Sequence, residues 1–113
     1  MLAKRYRLTK DRDFDRVFKE GEYFTNEFII LKVTKNKLDI SRFGFIVNSK
    51  ISKKSAIRHQ IRRRTQEIIR LNLPKIKTGF DVIILVKPEI IDKTYHQIEQ
   101  VLIKSLKKSE IYV

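Results

Sequence analysis

The stretch from Lys53 to Glu67, KKSAIRHQIRRRTQE, constrains this chain more than any other. Positions 40 to 66 hold no acidic residue, while Arg42, Lys50, Lys53, Lys54, Arg58, Arg62, Arg63 and Arg64 all fall there. Folding alone does not ask for such a run, because ordinary surfaces intersperse both signs of charge; a polyanionic partner does ask for it. Ile57, Ile61, Ile68 and Ile69 recur at helical spacing, so the stretch is expected to be a helix with one apolar stripe. Lys54, Arg58, Arg62 and Gln66 then follow one another at i+4 on the opposite side, with His59 and Arg63 as a second row. Like charges so placed cost roughly a few tenths of a kcal/mol per pair, which an isolated helix would not choose. The arrangement points to an external ligand, and the planar guanidinium suits phosphates and the faces of bases.

At 113 residues the chain has room for one domain with one modest core. Its 26 Lys and Arg against 13 Asp and Glu give +13, which favours nucleic acid over an anionic membrane surface. The absence of cysteine excludes disulfides and thiolate zinc sites and is compatible with a reducing compartment. No run approaches the ~18–20 apolar residues of a membrane span. Met1 to Lys10 carries charges where a signal peptide would be apolar. A soluble, cytoplasmic protein with no membrane association and no obligate protein partner is expected.

Taken in order, residues 1–10 mix Lys4, Arg5 and Arg7 with Tyr6 and Leu8 without a period and read as an extended basic arm. Thr9 is a candidate N-cap for a helix to about Glu20, with Phe14, Val17 and Phe18 on its apolar face and Gly21 as its stop. Two phenylalanines at i and i+4 are first of all core candidates. Phe28–Thr34 and Phe43–Asn48 are short, aromatic and β-branched, and read as antiparallel neighbours. Ser52 is a candidate cap for the basic helix, which fades by Asn72 to Pro74. Phe80–Val86 is almost continuously apolar, as a central strand covered on both faces would be. Thr94 and Gln97 match a capping box opening a last amphipathic helix with Ile98, Val101, Leu102 and Leu106. The order αββαβα describes one α+β sheet with helices packed on it.

A catalytic or metal site of its own is not expected. Asp11, Asp13, Asp15 and Glu22 imitate the ligand positions of an EF-hand loop, but Arg16 stands where that loop needs glycine and no helix precedes it. His59 and His96 have no carboxylate cluster nearby in sequence, the three glycines are isolated, and there is no cysteine nucleophile. The chain reads as a binder of RNA or DNA whose chemistry lies in a partner.

The segment Lys54 to Glu67, KSAIRHQIRRRTQE, resembles without a gap the arginine-rich signature of the protein subunit of bacterial ribonuclease P, in outline K-A-V-x-R-N-x-x-K-R-x-x-R-E. Lys4 to Gly21 is similar to that family's basic start followed by a D-F-x-x-V-F helix. Gly44 to Lys50 resembles its strand leading into the signature. FDVIILVKP (Phe80 to Pro88), with Tyr95 and the Leu102 to Lys108 end, resembles its last strand and helix. The resemblance spans nearly the whole chain. His59 stands in place of the family's Asn, Ser55 and Ala56 in place of Ala and Val, and Gln66 in place of the last Arg.

The resemblance implies a sheet of about four strands, with the fourth strand between the two early ones or after them, and a left-handed βαβ crossover. It implies a subunit that joins a catalytic RNA, ribonuclease P RNA, in an endonuclease that removes the 5′ leader of precursor tRNA using Mg2+ held mainly by RNA. Carried over position by position, Lys53, Lys54, Arg58, His59, Arg62, Arg63 and Gln66 become the RNA-binding residues and Phe14 and Phe18 the lining of a cleft for the single-stranded leader. Gln66 cannot bind phosphate as the family's Arg would, and Arg64 on a neighbouring face would partly compensate. A ribosomal or other structural RNA-binding protein is the alternative that charge and architecture alone leave open.

Overall fold

Residues 2–113 are described by the structure, a computed structural model. The most apolar run forms β4 (Phe80–Val86), and it takes the interior of the sheet as its composition requires. On one side it pairs antiparallel with β2 (Ile29–Lys35), on the other parallel with β3 (Arg42–Ile46). A fourth strand, β1 (Glu22–Asn26), lies outside β2, so the sheet order is β1-β2-β4-β3. With α1 (Asp11–Glu20), α2 (Ser55–Asn72) and α3 (Tyr95–Lys108), the chain runs αβββαβα, an α+β domain. Strand β3, helix α2 and strand β4 make the parallel βαβ unit that the resemblance implies.

Two expectations about the sheet are corrected. The early strands are not neighbours, because β4 inserts between them, pairing with one on each edge while the helical layers cover its two faces. The fourth strand comes before the other three. EYFTN shows no clean apolar alternation, since Tyr23 is exposed and only Phe24 reaches the main core. The hairpin joining β1 to β2 turns through Glu27, whose φ of +52° is a left-handed conformation unusual for this residue.

Strand alternation separates two apolar layers. One face, with Ile29, Leu31, Val33, Phe43, Val82 and Ile84, packs under α2 and α3 in the main core. The other carries Ile83, which with Leu8 and Val17 forms a smaller cluster under α1. The N-terminal segment joins the two layers and is not a free arm. Leu2 is buried in the main core and Leu8 in the small one, while Arg7 bridges to Phe43 and the Leu8 amide donates to the Phe43 carbonyl at 2.9 Å. The segment thereby covers the edge of β3 that would otherwise stay unpaired.

The helix ends depart from expectation at two of three starts. Lys10, not Thr9, is the N-cap of α1, and Lys54 that of α2, neither with a side-chain cap bond. Ser52 Oγ instead accepts from the Lys54 amide at 3.1 Å, ordering the turn before the helix. In α3 the capping box forms: Thr94 Oγ1 accepts from the Gln97 amide, and Gln97 Oε1 from the Thr94 amide. Gly21 ends α1 at an ordinary φ of −70°. What it supplies is room, since a Cβ there would collide with the Val17 carbonyl oxygen.

Candidate nucleic-acid interface

Helix α1 is fastened to the sheet along one side by a buried carboxylate. Asp81 on β4 is fully buried and accepts from Arg42 Nε at 2.9 Å, Arg42 Nη2 at 2.7 Å, Asn36 Nδ2 at 2.9 Å and Arg16 Nη2. Arg42 also approaches Asp13 of α1 at 3.5 Å. The hydrogen bond to Asp81 raises the Arg42 pKa above its ordinary value, against the opposing effect of burial. Asp13, one of the EF-hand-like acids, thus has an ion-pairing role, and Asp11, Asp13 and Asp15 all sit on a helix, not on a loop.

The next row of the sheet touches the middle of α1. A Cβ on Gly44 would stand 2.5 Å from Phe14 Cε1, so the missing side chain is what lets the ring lie against β3. Val17 is buried with Ile83 in the same cluster. Lys32 donates to the Phe18 carbonyl at 2.8 Å, a cation placed at the negative end of the helix dipole, and its Nζ lies 5.9 Å from the Phe18 ring centre.

Beyond this row the register aligns Thr25, Ile30, Leu85 and Ile46 across all four strands, and all four side chains stay partly open. Phe14 and Phe18, one turn apart on α1, flank this row: Phe14 is half-buried and Phe18 is 40% exposed. Two aromatic rings of α1 thus stand beside a largely apolar, partly open row of the sheet. The sequence singled out the two phenylalanines. Lys32 and the row Thr25, Ile30, Leu85 and Ile46 were missed, because they come from separate strands and only the register unites them.

On the other layer α2 buries Ile61, Ile68 and Ile69 and exposes Ala56, His59, Gln60 and Arg63. Lys53 and Lys54 are exposed in the turn just before the helix. Arg58 Nη1 donates to the Ser52 carbonyl at 2.8 Å, and Arg62 Nη2 to the Val47 carbonyl at 3.3 Å, while Arg62 Nη1 meets His59 Nδ1 at 3.1 Å. These two arginines therefore brace the β3–α2 connection as well as carrying charge outward. Arg63 is exposed without such a bond. Gln66, expected in the outward row with Arg62, is buried at 7% exposure. A four-residue step turns slightly more than one helical turn, so the row drifts toward the protein by its fourth member. At the far end Arg70 bonds Glu67 and holds that carboxyl below its usual range. Tyr95 of α3 lies beside the helix, its hydroxyl pushed up by burial. Among the described residues no group of three or more His, Cys, Asp or Glu is placed to hold a metal ion.

A basic helix on one layer of a small sheet, half-exposed phenylalanines on the other and a net charge of +13 define the class as a nucleic-acid-binding α+β protein. The comparisons with known proteins make the assignment narrower. The Ribonuclease P family model matches residues 2–110, and the chain belongs to that family. The ribonuclease P protein component of Clostridium botulinum (strain 657 / Type Ba4) is 36% identical over 110 residues, covering 96% of this chain and 98% of that one. The structure of the Staphylococcus aureus RNase P protein superimposes with a TM-score of 0.89 at 28% identity, over 96% of this chain and 98% of that one. The Thermotoga maritima RNase P protein does so at 0.82 and 31%, over 90% and 96%. Family and fold together make this chain a protein component of ribonuclease P, RNA-binding and serving tRNA 5′ maturation, and they do not favour a ribosomal or other structural role.

Proposed function

We propose that the chain divides its task between its two layers. Lys53, Lys54, Arg58, His59, Arg62 and Arg63 form the contact with ribonuclease P RNA, and the cleft edged by Phe14 and Phe18 takes the single-stranded 5′ leader of precursor tRNA. The observation that carries this reading is the open row Thr25, Ile30, Leu85 and Ile46 beside the half-exposed phenylalanines. An apolar floor with aromatic edges accepts unstacked bases of any identity, at roughly 1–3 kcal/mol per stacked base, which suits a subunit that meets many leaders. Gln66 does not belong to the outward basic surface, because its side chain is buried.

Bond cleavage belongs to the RNA in this reading. Phosphodiester hydrolysis needs a metal-held or base-activated water, and among the described residues the carboxylates do not converge: Asp13, Asp81 and Glu67 pair with arginines, and no three acidic or histidine side chains come together. They do not fit a Mg2+ cage, and the Mg2+ is assigned to sites made mainly by RNA. The protein works in the cytoplasm, where precursor tRNA is made.

The test is cleavage of precursor tRNA by the organism's ribonuclease P RNA at low magnesium, with and without this protein. Strong stimulation is expected. Tight RNA binding without stimulation would overturn the reading.

A further inference from the structure

Two side chains hold buried polar atoms with no hydrogen-bonding partner among the described residues: Arg7, at Nε, and Gln66, at Oε1. Folded proteins pair about 90% or more of such atoms, and each exception needs a cause. Both residues line one concavity of about 520 Å3 between the N-terminal segment and α2, together with Ala56, His59, Arg62 and Arg63. That volume falls within the roughly 300–1,000 Å3 usual for ligand pockets.

The two exceptions are of opposite kind. Nε–H of Arg7 can only donate, and Oε1 of Gln66 can only accept. A phosphate, with acceptors alone, would satisfy the first and leave the second. A nucleobase edge carries acceptor and donor side by side and satisfies both. The remaining walls agree with a flat ligand. His59 Nδ1 lies 3.1 Å from Arg62 Nη1, and Arg62 is itself tied to the Val47 carbonyl, so the imidazole offers a flat face at the wall, while Ala56 adds only a methyl group. Unstacked bases are held in RNA complexes by such histidine and arginine planes.

We propose that this pocket receives one unstacked nucleobase of the partner RNA, its edge read by Arg7 and Gln66 and its face by His59, with Arg63 beside the adjoining phosphate. The proposal rests on the reading of α2 as the surface for ribonuclease P RNA. The N-terminal segment is then part of the interface: pairing with Phe43 holds Arg7 at the pocket.

The test is equilibrium binding of the full-length protein to the organism's ribonuclease P RNA across a salt series, for the parent, Gln66→Leu and Arg7→Lys. Removal of a base-edge hydrogen bond should weaken binding roughly tenfold in each variant without changing the salt slope. Gln66→Leu should also leave the melting temperature of the free protein unchanged or higher, since it removes a buried acceptor that has no partner. Chemical probing should show the same unpaired nucleotide protected by the parent and exposed with both variants. Parental affinity in both variants overturns the pocket, as does a reduced salt slope, which would indicate a phosphate. Loss of affinity only alongside loss of folding in both variants assigns them a structural role and overturns it equally. Failure of the parent itself to bind the RNA would overturn the underlying reading of α2 as well.

Discussion

Arg42 of β3 closes on Asp81 of β4 through two hydrogen bonds, Nε to Oδ1 at 2.9 Å and Nη2 to Oδ2 at 2.7 Å. Arg16 reaches the same carboxylate from α1, so one buried charge on the central strand holds the neighbouring strand and the helix that carries Phe14 and Phe18. Asp81→Asn would leave both guanidinium groups facing a neutral amide. Breaking a fully buried pair costs about 3–5 kcal/mol, and because the two arginines are partly exposed the loss here should be nearer 2–3 kcal/mol. Urea unfolding would measure it, and an unchanged midpoint would show that α1 is held by packing alone.

Phe18 and Phe14 should separate when each is changed to alanine. Phe18 is largely outside the core, so Phe18→Ala should leave stability nearly intact and weaken leader-bearing precursor by roughly 5–150-fold, the equivalent of one stacked base. Mature tRNA should be indifferent. Phe14 also packs with Leu8, Val17 and Ile83, so Phe14→Ala should lower the melting temperature as well. Equal weakening of precursor and mature tRNA would remove the leader from the cleft.

Gly44 and Phe14 form a fitted pair. Gly44→Ala places a methyl group against the ring edge and should destabilise by about 1–3 kcal/mol, the usual cost of overpacking. Phe14→Leu removes the ring atoms that it meets, so the double variant should be more stable than the two single losses predict by addition. Strict additivity in thermal melts would contradict the contact.

Arg62 and Arg63 are neighbours with different partners. Arg63→Ala should lower the steepness of the salt dependence of RNA binding by about 0.7–0.9, as for one phosphate contact, with no loss of stability. Arg62→Ala should lower it similarly but also cost about 1 kcal/mol, because the bond to Val47 goes with it. A filter-binding salt series with a parallel melt distinguishes them, and an unchanged slope would take either residue out of the interface.

Glu67 has its pKa depressed by the hydrogen bond from Arg70. The folded value lies below the unfolded one, so this contribution is present above the unfolded value and is lost as pH falls through the folded one. Melting curves of the parent and Glu67→Gln should therefore coincide in acid and separate as pH rises, with the parent slightly the more stable. The pair is exposed, so the separation should be small and should shrink with salt.

The sequence by itself determined the elements whose signal is local. Ile57, Ile61, Ile68 and Ile69 placed α2, FDVIILV placed the central strand, and Thr94 with Gln97 placed the start of α3. The acid-free run from 40 to 66 indicated a polyanionic partner, and its signature indicated the family. Tertiary structure decided everything that depends on distant segments meeting. Strand β1 exists only because β2 supplies its partner, and β4 separates the two early strands because both its hydrogen-bonding edges are paired inside the sheet. The open row beside Phe14 and Phe18 is four residues from four strands joined by register. Gln66 sits inward and Arg7 beside it because a helical row drifts and an N-terminal segment crosses the edge of β3. Hydrophobic period and charge are properties of a few consecutive residues, whereas pairing order, register and the closing of a pocket come from loop closures that no short window of sequence contains.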